Sequence, residues 1–131
     1  MIRILIADDH RLFLEGITSL INKIPKLTVV GQALNGSEAM NILKTKEVDL
    51  TLLDVHMPEM TGIEVLEAIN REKINTKVIM LTMQNNREVI QKILKSGAHG
   101  YLLKNCSKKE LSMAVEKVFG GETYFTNEIK D

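Results

Sequence analysis

Residues 50–62 read LTLLDVHMPEMTG. Leu50-Thr51-Leu52-Leu53 is a near-continuous apolar run, the pattern of a strand covered on both faces inside a parallel sheet. The run ends on a carboxylate, Asp54. A turn through Met57-Pro58 follows, and then a helix start at Thr61-Gly62-Ile63-Glu64. Open α/β sheets gather their ligands at the carboxyl ends of strands, so Asp54 stands where chemistry is expected. An Asp after a strand can also serve only as a helix cap. Here the better cap is Thr61, with Glu64 three residues on in a capping-box pattern, which frees Asp54 for another use.

The same grammar recurs outward in both directions. Ile2 to Ala7 is a short apolar strand ending at Asp8-Asp9, and Arg11 to Ile24 carries Phe13, Gly16, Ile17, Leu20, Ile21 and Ile24 at helical spacing before Pro25. Leu27 to Ala33 reads as a strand, Asn35-Gly36-Ser37 as a turn and helix start, and Glu38 to Lys46 as a helix. The central strand spans Asp49 to Leu53, and its following helix buries Val65, Leu66 and Ile69. Thr76 to Leu81 is a strand ending at Thr82. Asn85-Asn86-Arg87-Glu88 opens a helix to Lys95, which Gly97 closes. His99 to Leu103 is the fifth strand, ending at Lys104. Ser107 to Glu110 is a second capping box, and the last helix buries Leu111, Ala114, Val115 and Val118 before Gly120-Gly121.

Five strands alternating with five helices imply an α/β fold with a doubly wound parallel sheet and right-handed crossovers. The expected form is flavodoxin-like, (βα)5, with strand order 2-1-3-4-5; a Rossmann-type sheet of similar size is the competitor. In the 2-1-3-4-5 order, one crevice collects Asp8 and Asp9, Asp54, Thr82 and Lys104.

Composition narrows the chemistry. A chain of 131 residues suits one domain with one core. Lys plus Arg and Asp plus Glu both number 17, so the formal net charge is zero. That balance argues against a phosphate-gripping nucleic-acid binder and against docking to an anionic membrane. No apolar run is long enough to span a bilayer, Met1 to Ala7 lack a signal-peptide layout, and the single cysteine, Cys106, has no internal partner. A cytoplasmic, reducing setting is expected, with Cys106 as a small packing residue. Phosphate-binding glycine loops, dinucleotide turns and nucleophile elbows are all missing. His10, His56 and His99 lack metal-ligand spacing and read as turn or surface residues. What remains is a carboxylate nucleophile among crowded acids. Such acids repel unless a cation offsets them, and Mg2+ suits one or two carboxylates plus a phosphoryl oxygen. Carboxylates do form aspartyl phosphates.

Taken together, Asp8-Asp9, Asp54 with Met57-Pro58 and Gly62, Thr82, Tyr101 and Lys104 resemble the receiver domain of bacterial two-component response regulators, over about residues 2–119. The resemblance implies that Asp54 accepts a phosphoryl group from a histidine kinase. It implies that Asp9 ligates Mg2+ directly, Asp8 through water, and Asp54 and the backbone carbonyl of His56 also bind. Thr82 and Lys104 would hold phosphoryl oxygens. Tyr101 would be a half-buried aromatic switch that moves inward as Thr82 moves, changing the face formed by the fourth helix, fifth strand and fifth helix. His56, Met83 and Gln84 would tune the lifetime of the phosphorylated state. The protein would be a signalling switch, not a turnover enzyme. Two residues depart from the family pattern: Lys104-Asn105 replaces a Lys-Pro step, leaving cis or trans open, and Met83 is bulkier than usual.

Within this family, residues 120–131 resemble the linker of the NarL/FixJ subfamily, whose LuxR-type output domain binds DNA. The expected organisation is a phosphoacceptor domain over residues 1–119 and the start of that linker over 120–131, with the output domain missing. Phosphorylation could bring two copies together. A stand-alone receiver and, more remotely, a small Mg2+-dependent phosphatase with an Asp nucleophile remain as alternatives. So does a flavin or nucleotide carrier on the same fold.

Overall fold

The central strand, Leu50–Asp54, is buried at every residue. In the computed structural model, which describes residues 1–83 and 86–126, it lies third in a sheet of six. In chain order the elements are β1 (Ile2–Ala7), α1 (Arg11–Asn22), β2 (Leu27–Ala33), α2 (Gly36–Thr45), β3 (Leu50–Asp54), α3 (Gly62–Arg71), β4 (Lys77–Thr82), α4 (Arg87–Lys95), β5 (Gly100–Leu103), α5 (Lys108–Phe119) and β6 (Tyr124–Phe125). The sheet order is β2-β1-β3-β4-β5-β6, parallel throughout. The first five strands therefore follow the flavodoxin-like order. The sixth was not anticipated: Tyr124–Phe125, in the stretch read as linker, pairs with β5.

Alternation along each strand sends side chains to two separate cores. One face packs under α2, α3 and α4, joining Leu53, Met80 and Tyr101 to Met40, Leu66, Ile90 and Ile93. The other packs under α1 and α5, joining Ile6, Leu52, Leu81 and Leu102 to Leu14, Ile21, Leu111 and Val115. No helix among the described residues is long and apolar enough to cross a membrane.

The helices begin where the polar residues dictate. Thr61 and Glu64 form the capping box over α3, with bonds of 2.8 and 3.2 Å. Asn35 caps α2, and Asn86 caps α4. Ser107 caps α5 by accepting from the Glu110 N–H at 3.0 Å. The expected reciprocal bond is absent there, because the Glu110 carboxylate accepts the Tyr124 hydroxyl at 2.9 Å instead. Gly97, at φ +82°, ends α4 as expected. His99 is not a plain surface residue. Its Nδ1 accepts from the Val78 N–H at 3.1 Å, and burial followed by the Lys77 charge lowers its pKa, consistent with a neutral acceptor ring. Cys106 packs against the α1–α5 core, where burial and then Glu110 push its thiol up to about 11. That suits the packing role.

The amino-terminal rim of the sheet is cross-linked by side chains. Arg3 forks onto Asp49 with two 3.0 Å bonds, and its backbone N–H donates to the same carboxylate at 2.8 Å. Thr51 and Thr76 share a buried hydroxyl contact of 3.0 Å. At the opposite rim, the loop after Asp54 folds back so that Gly62 N–H donates to Val55 O at 2.9 Å. A Cβ on Gly62 would overlap the Asp54 carbonyl oxygen and lie 3.0 Å from the Met80 methyl. Glycine is required here for close approach.

Gly62→Ala should destabilise the protein by about 1–3 kcal/mol through forced displacement at the Asp54 carbonyl. Gly16, expected on the core face of α1, is exposed with nothing within 4 Å of a Cβ, and Gly16→Ala should stabilise by about 0.5–1 kcal/mol. Urea unfolding midpoints of the two variants should move in opposite directions.

Candidate functional site

Each site residue sits where an apolar strand runs out. β1 ends at Ala7 and delivers Asp8, fully buried, and Asp9, whose side chain is about a third exposed. Neither caps α1: that position falls to His10, whose side chain makes no cap bond. Asp8 Oδ1 accepts the His10 backbone N–H at 2.8 Å. Asp54 is the last residue of β3 and Thr82 the last of β4, both about 3% exposed. Lys104 follows β5, and its N–H donates to Thr82 O at 2.8 Å, which holds the two strand ends level.

The Lys104 ammonium is the centre of the arrangement. Its Nζ lies 2.7 Å from Asp8 Oδ2 and 3.3 Å from Asp54 Oδ2, and the side chain is 8% exposed. It also stands 3.5 Å from His10 Nδ1 and 4.8 Å from the centre of the Phe13 ring, within cation–π range. The two carboxylate oxygens facing Lys104 are buried and have no well-aligned hydrogen bond among the described residues, so they depend on the nearby ammonium. Burial and then the Asp8 charge push Asp54 up to about 6, while Lys104 and the His56 backbone N–H pull it down. Asp54 is therefore ionised at neutral pH and more basic than an ordinary carboxylate.

Ligand atoms of Asp8, Asp9, His10 and Asp54 all lie within 4.8 Å of one another. Three oxygen donors, two of them buried, with under-bonded oxygens, fit a small hard divalent cation of the Mg2+ type.

Of the residues singled out from sequence, Asp8, Asp9, Asp54 and Lys104 come together directly. Thr82 stands on the adjacent strand one position past Leu81, the register partner of Asp54. Tyr101 lies deeper, opposite Met80, and is fully buried where a half-buried ring was expected. His56 is exposed. Met83 is 73% exposed and, with His10, Phe13 and Asn105, lines an open cavity of about 480 Å³ beside Lys104. Gln84 lies outside the described residues. The Lys104–Asn105 peptide is trans. Two contributors went unrecognised: His10, read as a turn residue, and Phe13, read as core. Their three-residue spacing at the start of α1, directly after Asp8-Asp9, was the available signal, since it puts both on one side of the helix.

Comparison with known proteins gives a consistent result. The family model described as "Response regulator receiver domain" matches residues 4–116. The chain is 37% identical over 129 residues to an uncharacterized transcriptional regulatory protein, YvfU, of Bacillus subtilis, covering 98% of this chain and 64% of that protein. It is 35% identical over 119 residues to the nitrate/nitrite response regulator NarL of Escherichia coli, covering 91% of this chain and 55% of NarL. The chain thus spans little more than half to two-thirds the length of these relatives. The isolated receiver domain of RcsB from Salmonella enterica serovar Typhimurium, solved with the phosphomimetic BeF3−, superposes with a TM-score of 0.89 at 26% identity, covering 98% of this chain and 95% of that one.

The raised pKa of Asp54 has a sign that can be checked. A carboxyl lifted from 3.8 to about 6 in the folded state contributes stability fully present below its unfolded pKa and lost as pH rises through about 6. Asp54→Asn escapes that loss. In metal-free buffer its stability advantage over the wild type should grow by roughly 2–3 kcal/mol between about pH 4 and 7. Urea unfolding across that range measures it, and an advantage flat with pH would contradict the assignment.

Proposed function

The chain belongs to the response-regulator receiver family, and from that membership we propose that it is a phosphorylation-driven switch with Asp54 as the phosphoacceptor. The observation that carries this reading is the buried Asp54 carboxylate at a central strand end, 3.3 Å from the Lys104 ammonium. An Asp54 oxygen attacks phosphorus in the donor, a histidine kinase phosphoimidazole. The phosphorus–nitrogen bond breaks as the oxygen–phosphorus bond forms, and the imidazole leaves. The reaction demands positioning and charge neutralisation more than acid–base chemistry. Lys104 meets the added negative charge, and the Thr82 hydroxyl donates to a phosphoryl oxygen. Asp9 and Asp54, with Asp8 through water and the His56 carbonyl, would hold Mg2+, whose charge offsets that of the phosphoryl group.

Phosphorylation replaces one charge with a larger one bearing three acceptor oxygens. Thr82 is drawn toward it, and Tyr101, buried on the next strand, fills the space behind. The face built by α4, β5 and α5 is the element that changes. His56, Met83 and Gln84 tune the lifetime of the phosphorylated state. Residues 1–119 form the phosphoacceptor unit, and 120–131 begin the connection to a LuxR-type DNA-binding domain of a cytoplasmic transcription regulator, with dimerisation on phosphorylation. The protein takes up one phosphoryl group per cycle and is not a turnover enzyme. The length of the NarL and YvfU relatives supports the output domain.

Intact-mass analysis with an acyl phosphate and Mg2+ should show one added phosphoryl group, lost in Asp54→Asn and strongly slowed in Lys104→Ala. Continuous release of phosphate from a phosphomonoester would favour a phosphatase instead. No mass gain, or a gain retained in Asp54→Asn, would overturn the reading.

A further inference from the structure

β5 ends the five-stranded receiver pattern, and an exposed edge would present unpaired backbone groups. Here β6 closes it. Tyr124 N–H donates to His99 O and Thr126 N–H to Tyr101 O, both at 3.1 Å. The register sets Tyr124 against Gly100 and Phe125 against Tyr101. The approach depends on Gly100, where a Cβ would come to 2.9 Å from Tyr124 O. Tyr124 lies on the α5 side, anchored through its hydroxyl to Glu110 at 2.9 Å. Phe125 lies on the α4 side, packed on the cluster that contains Tyr101, and Thr126 is buried just beyond.

Residues paired across adjacent parallel strands project to the same face of a sheet, so Phe125 stands directly beside the Tyr101 ring. On the other flank of that ring is Met80 of β4. Ile90 and Ile93 of α4 belong to the same cluster and cover it. Phe125 stands on the outer flank of the ring, at the edge of β5. We propose that β6 is a strap that holds Tyr101 in its buried position, so that docking of the tail and occupation of the phosphoacceptor site favour each other. The proposal rests on the reading of Asp54, Thr82 and Tyr101 as a switch. If the buried ring accompanies the occupied site, linkage requires that whatever secures the ring also tightens binding at Asp54, and the reverse in equal measure. Tail docking therefore reports the state of the site through the chain itself, without a partner protein.

The test is a BeF3− titration in Mg2+, followed by fluorine NMR, on the wild type, Phe125→Ala and Phe125→Leu. Phe125→Ala should weaken BeF3− binding about fivefold or more, while Phe125→Leu, which keeps the bulk at the edge, should restore most of it. In the wild type, hydrogen exchange at the Thr126 amide should slow when BeF3− is bound, a readout that holds even if Phe125→Ala folds poorly. Tight BeF3− binding with equal affinity in Phe125→Ala, or a Thr126 amide that exchanges at the same rate with and without BeF3−, overturns the strap alone. A wild type that binds no BeF3− overturns the reading of Asp54, and the strap with it.

Discussion

The Lys104 ammonium between Asp8 and Asp54 is the contact on which the rest depends. Two buried carboxylates with under-bonded oxygens cannot both stay charged in a low-dielectric interior without a cation close by. Lys104 reaches them only because β1, β3, β4 and β5 end at the same level. The backbone bond from Lys104 to Thr82 sets that level on one side, and the register of Asp54 with Leu81 sets it on the other. A slip of one residue in any of these strands would turn its terminal side chain to the opposite face. The hydrophobic alternation that divides the two cores is thus also what places the charges.

Much of this was legible in the amino-acid order, for local reasons. Asp8, Asp54, Thr82 and Lys104 each terminate an apolar run, and alternation with short connections implies a doubly wound parallel sheet, with the 2-1-3-4-5 order set against a Rossmann-type competitor. Asn35, Thr61, Asn86 and Ser107 mark helix starts through bonds made within three residues. What escaped depends on contacts between distant segments. Phe13 carries the periodicity of a core residue, and nothing local says that its ring lies near an ammonium 91 positions away, as Lys104 and Phe13 do. His99 looks like a turn residue until its ring accepts from Val78. β6 is two residues long, too short for any periodicity, and follows a Gly-Gly break that reads as the end of structure. Tyr101 is fully buried, not half-buried as the resemblance implied, and Phe125 of β6 packs on the cluster that contains it.

The departures from the family pattern have physical readings. With a trans Lys104–Asn105 peptide, the ammonium still reaches both carboxylates, so proline is dispensable for placing it. Met83, although bulky, projects into solvent beside the cavity instead of filling it.

The two rims of the sheet are built from different materials. At one, an arginine fork, a threonine pair and an imidazole stitch neighbouring strands to one another. At the other, the Lys104 ammonium and two buried carboxylates meet a loop shaped by Gly62. A fan behaves this way: riveted at the handle, its ribs cannot slide lengthwise and can only spread. With register fixed at the stitched rim, a change at the charged rim is confined to side chains and loops.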